Sequence, residues 1–148
     1  MSKTAASRPH TLAGMTQPTA TTIVADFEIT AWDQAPYDNG AGGPQLGRAT
    51  VHKTFTGPLA ATSVAELLLC GGEGGQGYVA SERVTGTLDG REGTFVIQHG
   101  GIAAAGDDGH TFGHVVPGSG TGELAGLRGE ASYRHDDAVA QLTLTYTL

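Results

Sequence analysis

Gly86-Thr87-Leu88-Asp89-Gly90-Arg91-Glu92-Gly93 recurs as Gly122-Glu123-Leu124-Ala125-Gly126-Leu127-Arg128-Gly129, the same Gly-x-Leu-x-Gly-x-x-Gly pattern twice in one chain. A fainter copy, Gly57-Pro58-Leu59-Ala60-Ala61, follows Phe55. Glycines at fixed offsets mark backbone positions that need φ > 0, as hairpin turns do. Alternating, β-rich sequence flanks each copy, so the chain reads as a series of hairpins.

Outward from these turns, the strands follow by alternation. Ile23, Ala25, Phe27 and Ile29 share one face, while Val24, Asp26, Glu28 and Thr30 share the other. Further strands are expected at about 48–56, 62–70, 78–88, 94–99, from His110, 128–134 and 141–148. Eight sequential antiparallel strands most economically close into an up-and-down barrel, which removes both edges. The tight turns near 57, 89 and 125 then lie at one end. The segments 31–47, 71–77, 100–109 and 135–140, rich in Gly or polar residues, read as long loops at the other. Function concentrates on longer loops, so the open end is expected to carry Trp32, His99, His110 and His135.

Composition agrees. The 148 residues include 24 glycines and no long helix-forming run, which suits one all-β domain. Residues 1–20 are small, polar and aperiodic and read as a flexible arm before a barrel domain over 21–148. A single cysteine, Cys70, excludes an internal disulfide and fits a reducing, cytoplasmic setting. Cys70 ends an apolar strand and is expected to be buried. No stretch is apolar enough to span a membrane, and no leader pattern is visible. A formal charge of -7 disfavours nucleic acid as a partner.

The segment Val116-Pro117-Gly118-Ser119-Gly120-Thr121-Gly122-Glu123-Leu124-Ala125-Gly126-Leu127-Arg128-Gly129 is distinctive. With Glu82 to Arg91 and Gln98-His99, it resembles an uncharacterised bacterial family of small β-barrel proteins, from about residue 22 to the end. More distantly, Gly-Ser-Gly-Thr-Gly before Leu-x-Gly-x-x-Gly is similar to the turn of allene oxide cyclases and dirigent proteins. That resemblance implies an eight-stranded barrel holding an apolar small molecule. Barrels of this type associate through their outer walls, so it also implies a homo-oligomer, for which the Leu67/Leu69 face offers apolar area.

Register can be estimated from the turns. A two-residue Asp89-Gly90 turn sets Glu82 opposite Ile97 and Ala80 opposite His99. A loop centred on Gly74 sets Glu66 opposite Glu82, and the Gly57 turn sets Lys53 opposite Glu66. One face then carries Val51, Lys53, Phe55, Val64, Glu66, Leu68, Tyr78, Ala80, Glu82, Val84, Phe95, Ile97 and His99. It is the richer in large apolar groups and is placed inside. Lys53, Glu66 and Glu82 would form an interior row, with His99 one step toward the mouth. Two neighbouring carboxylates in a dry pocket resist double ionisation, and such a pair can do acid–base work. The competing reading is a plain Lys53–Glu66 ion pair on the outer wall, which a one-residue slip would produce. The same logic turns Phe112, His114, Ala131, Tyr133, Leu142, Leu144 and Tyr146 inward, with His114 either lining the cavity or satisfied in the core. Trp32 either caps the cavity or anchors a loop.

Other chemistries fail on context. Gly120-Thr121-Gly122-Glu123-Leu124-Ala125 matches a dinucleotide fingerprint nominally, but Gly126 and Gly129 preclude the helix it must open. His110 and His114 on one strand lie about 13 Å apart and cannot share a zinc ion. Neither metal nor organic cofactor is expected. The expectation is therefore a cyclase or isomerase acting on an apolar metabolite. Glu66, Glu82, Lys53 and His99 would be its working groups, and Trp32, Tyr78, Phe112, His114 and Tyr133 would shape the cavity. The alternatives are a non-catalytic carrier or sensor, and a solid barrel that acts only through oligomer contacts.

Overall fold

The computed structural model describes residues 19–148. The arm expected over 1–20 therefore lies almost wholly outside the described residues. The rest is an eight-stranded antiparallel barrel in simple sequence order: β1 (Thr21–Asp38), β2 (Gln45–Thr56), β3 (Leu59–Gly72), β4 (Gly75–Leu88), β5 (Arg91–Ala104), β6 (His110–Val115), β7 (Arg128–His135) and β8 (Ala140–Thr147). β8 closes on β1 through pairs such as Ile23↔Leu144 and Ala25↔Leu142. No helix among the described residues is long and apolar enough to cross a membrane.

The repeated glycine pattern marks the closed end. Leu88 pairs with Arg91, leaving Asp89-Gly90 as a two-residue turn with φ of 47° and 85°. Two successive positive φ values define the type I′ geometry that matches strand twist. The leucine of each copy points into the barrel: Leu59, Leu88 and Leu124 are 0%, 1% and 0% exposed. The second full copy is not the tight turn expected near 125. The chain from Val116 to Leu127 crosses the barrel floor with a 3-10 turn at Gly122–Leu124. It bonds along β5, with Val116 N–H donating to Val96 O (2.9 Å) and Thr121 N–H to Thr94 O (2.8 Å). Leu124 and Leu127 then plug the bottom, both fully buried.

Three of the expected long loops are at least half strand. β1 runs on to Asp38, β3 and β4 are joined by only Glu73-Gly74, and β5 continues to Ala104. Glycine and proline misled because their neighbours supply the pairing. Gly47 pairs with Leu69, Gly71 with Gln76 and Gly101 with Tyr78. Pro36 sits on the part of β1 beyond its pairing with β8, where an edge strand tolerates a missing N–H. At Gly100 the ring of Phe112 lies against the backbone, and a Cβ there would fall 2.6 Å from Phe112 Cζ.

The β4–β5 register is as expected, with Glu82 opposite Ile97 and Ala80 opposite His99. The β3 register is not. Its short turn pairs Gly72 with Gly75, so Ala65, not Glu66, faces Glu82. On the other side Lys53 pairs with Ser63. Side chains alternate with period two, so this odd slip sends Val64, Glu66 and Leu68 outside and brings Ser63, Ala65 and Leu67 in. Leu67 is thus core, and the exposed apolar row on the outer wall is instead Leu68, Val79 and Phe112. In β6, His99 pairs with Gly113, so Gly113 and Val115 point in while Phe112 and His114 point out. Cys70, expected buried, is exposed on the same outer parity as Leu68.

The interior has two halves. Below, Phe27, Phe55, Phe95, Ile97, Leu142 and Leu144 pack with the leucine plug. Above, many inward positions are small, Ala49, Ala65, Ala80, Gly101 and Gly113 among larger Val51, Leu67, Leu69 and Tyr78. Small side chains around a ring of fixed backbone leave space, so the upper half is hollow.

Candidate functional site

Where the solid and hollow halves meet, one carboxylate gathers four side chains. Glu82 is fully buried. Lys53 Nζ donates to its Oε1 at 3.1 Å, His99 Nε2 lies 2.8 Å from the same oxygen, and Tyr133 O–H donates to it at 2.8 Å. Ser63 O–H donates to Oε2 at 2.5 Å. Five strands, β2, β3, β4, β5 and β7, thus supply one cluster. β3 separates Lys53 from Glu82, so only a small residue at position 63 lets the ammonium reach across.

Burial alone would raise the Glu82 pKa, but the His99 hydrogen bond, the Lys53 charge and the remaining donors outweigh it and hold it at about 2. Glu82 is therefore an anion at any ordinary pH. The same burial and the Glu82 charge push Tyr78 up to about 12 and Tyr133 well above the usual tyrosine range, so both hydroxyls stay protonated. Lys53 also lies over two aromatic faces, 4.9 Å from the Phe27 ring centre and 4.5 Å from that of Tyr133. Cation–π contact supports an ammonium in a dry site.

His99 links the cluster to open space. Its ring stacks on Tyr133 with centroids 4.2 Å apart, and Tyr78 Oη lies 3.1 Å from Nδ1. Glu82 can only accept, so Nε2 carries a proton and, in the neutral ring, Nδ1 accepts from the Tyr78 hydroxyl. The result is a Tyr78–His99–Glu82 chain from the cavity to a buried anion.

Above it opens a cavity of about 550 Å³, lined by Phe27, Ile29, Val51, Leu67 and Leu69 on its apolar walls and by Lys53, Tyr78, His99 and Tyr133 on its floor. Trp32, 49% exposed, stands at the mouth with its indole N–H on Gln34. Glu82 is behind this floor and orients the groups that form it.

Of the groups expected to line a site, Lys53, Glu82, His99, Tyr78, Tyr133 and Trp32 come together here. Glu66, Phe112 and His114 do not. Glu66 accepts from Thr50 Oγ1 at 2.8 Å on the outer wall, so the row of two interior carboxylates does not exist. Glu66→Gln is accordingly expected to change stability by no more than about 0.5 kcal/mol, and a denaturation midpoint shifted well beyond that would show a hidden role. Ser63 and Phe27 are cluster members that the sequence reading missed. The signal for Ser63 was present: Leu59, Ala61, Ser63, Ala65 and Leu67 alternate cleanly as small or apolar residues once the Gly57-Pro58 turn sets the phase. His110 and His135 line the upper wall of the cavity, but no three potential metal ligands gather among the described residues.

A family model described as a protein of unknown function, DUF3224, matches residues 23–146. A crystal structure of a DUF3224 protein of unknown function from Shewanella oneidensis MR-1 is 36% identical, covering 88% of this chain and 98% of its own, with a TM-score of 0.75. No curated protein matches.

Proposed function

For this chain, which belongs to the DUF3224 family of unknown function, we propose a small-molecule cup that performs acid–base isomerisation or ring closure on an apolar metabolite. The observation that carries this reading is the Tyr78–His99–Glu82 chain ending at the floor of a cavity whose lower walls are apolar. About 550 Å³ is within the range of small-molecule pockets. The similarity of the Gly118 to Gly129 segment to allene oxide cyclases and dirigent proteins points to the same ligand class, though a fold alone assigns no reaction.

The chemistry uses one anion, not two. Tyr78 Oη takes a proton from an activated carbon of the bound molecule while passing its own proton to His99 Nδ1. Glu82 stabilises the imidazolium so formed, as a buried carboxylate does for a histidine base. Lys53 spends one N–H on Glu82 and keeps two for the oxygen on which negative charge develops. Return of the proton to a different carbon completes an isomerisation, and confinement by the walls favours ring closure.

A second reading, a carrier or sensor without turnover, draws on a specific feature: every polar group on the floor already has a protein partner. Such a floor suits static binding. Deuterium uptake from heavy water into the methyl group of 2-acetonaphthone separates the two. The enzyme reading expects exchange faster than in buffer, falling about 100-fold or more in His99→Gln while the ketone still binds. Bound ketone with no exchange above buffer would leave the carrier. Self-association belongs to the same proposal, through the exposed row Leu68, Val79 and Phe112.

A further inference from the structure

We infer that the cup selects a neutral molecule bearing a hydrogen-bond-accepting oxygen, and rejects anions and cations of the same body. This rests on the cup being a ligand site, and it follows from how charge is arranged from floor to rim.

The floor is balanced. One ammonium, Lys53, lies 3.1 Å from one carboxylate, Glu82. Both carboxylate oxygens are occupied, Oε1 by Lys53, His99 and Tyr133 and Oε2 by Ser63. An entering cation thus finds no open carboxylate at depth and meets the Lys53 charge. An entering carboxylate or phosphate fares no better, because the charge it would seek is already compensated. Stripping water from an ion is repaid only by an uncommitted partner.

The rim adds a second barrier against anions. Asp33 and Asp38 stand on the upper part of β1, Glu73 in the β3–β4 turn, Asp107 and Asp108 between β5 and β6, and Asp136 and Asp137 between β7 and β8. Asp108 lines the cavity itself. Among the described residues, Arg48 and Arg134 are the lysine or arginine cations at this end, and Arg134 Nε already holds Asp136 at 2.9 Å. Fields from such a ring act over about 8 Å at physiological salt.

What the floor offers a ligand is chiefly donors. Lys53 makes one side-chain hydrogen bond, to Glu82, which leaves two N–H groups, and the walls above it are aliphatic at Ile29, Val51, Leu67 and Leu69, with Gln34, Gln45, Gln76, His110 and His135 further up. A ketone, aldehyde or ester oxygen on an apolar body fits each of these. A free acid, a phosphorylated compound or an amine does not.

The test uses one aromatic body in three charge states. Prodan, a neutral naphthyl ketone, serves as reporter, with energy transfer from the single tryptophan, Trp32 at the mouth, placing it in the cup. Gly71→Phe is the occupancy control: Gly71 lines the cavity, and a Cβ there meets nothing within 4 Å, so a large ring can fill the opening without backbone clash. That variant is expected to lose prodan binding. Displacement is then measured with 2-acetonaphthone, 2-naphthoate and (2-naphthylmethyl)trimethylammonium. The neutral ketone is expected to displace prodan at a concentration at least about tenfold lower than either ion, a preference of about 1.4 kcal/mol. An ion that competes as well as the ketone overturns the charge rule and leaves the cup as a ligand site. Failure of prodan to bind wild-type protein, or undiminished binding to Gly71→Phe, overturns both.

Discussion

Glu82→Gln is expected to destabilise the barrel by about 3–5 kcal/mol at neutral pH, the range for breaking a buried pair by removing one partner. A glutamine keeps the shape but cannot neutralise Lys53, which is 7% exposed and lies over the faces of Phe27 and Tyr133. The donors of Ser63, His99 and Tyr133 would also face an amide whose nitrogen cannot accept. Removing both charges should hurt less than removing one: Lys53→Met with Glu82→Gln is expected to recover part of the loss. Urea unfolding of the two single variants and the double variant measures this coupling. A Glu82→Gln variant within 1 kcal/mol of wild type would mean that the cluster does not hold the barrel together.

The same carboxylate predicts an acid limb. Its pKa falls from 4.5 to about 2 on folding. A group with a lowered folded pKa contributes stability that is complete above its unfolded value and lost as pH falls through the folded one. At about 1.4 kcal/mol per pH unit, Glu82 accounts for about 3 kcal/mol, present above pH 4.5 and disappearing between there and pH 2. Wild-type stability should fall steeply over that window and Glu82→Gln should lack this share of the slope. Equal slopes would refute the assignment.

Leu88→Ala and Leu124→Ala are each expected to cost about 2–5 kcal/mol, because the plug at the closed end has no solvent to relax into. Both side chains are buried, at 1% and 0% exposure, and they are the same position of the repeated octapeptide. Leu68, 50% exposed on the outer wall, is the matched control, and Leu68→Ala should stay within about 0.5 kcal/mol. Comparable losses at all three leucines would mean that the octapeptide leucines do not plug the barrel.

Much of this architecture was legible from local signals. Asp89-Gly90 named its turn type, and because a two-residue turn leaves no freedom in pairing, the β4–β5 register followed, while the inward direction of Glu82 and His99 rested on their face being the richer in large apolar groups. Strand β8 was legible for a related reason: Leu142, Leu144 and Tyr146 alternate with polar residues, and only one face can be buried. The failures came where the local signal was silent. Nothing in Gly71 to Gly77 says that its turn is two residues long, and a slip of one residue there moved Glu66 from the cavity to water. Phe112 looked like a core residue, yet it lies outside because His99 pairs with Gly113, and its ring covers Gly100 on the outer wall.

By itself the sequence determined the fold class and the β4–β5 turn and register, and its choice of the more apolar face put Lys53, Tyr78, His99 and Tyr133 on the interior side, since turn chemistry and period-two burial act between near neighbours. Only the tertiary structure decided that one carboxylate and not two occupies the interior, that Ser63 completes its shell, and that the upper half is hollow. Those outcomes depend on the pairing of strands across the barrel. There the free energy of a register is shared among all its contacts and no single residue carries its sign.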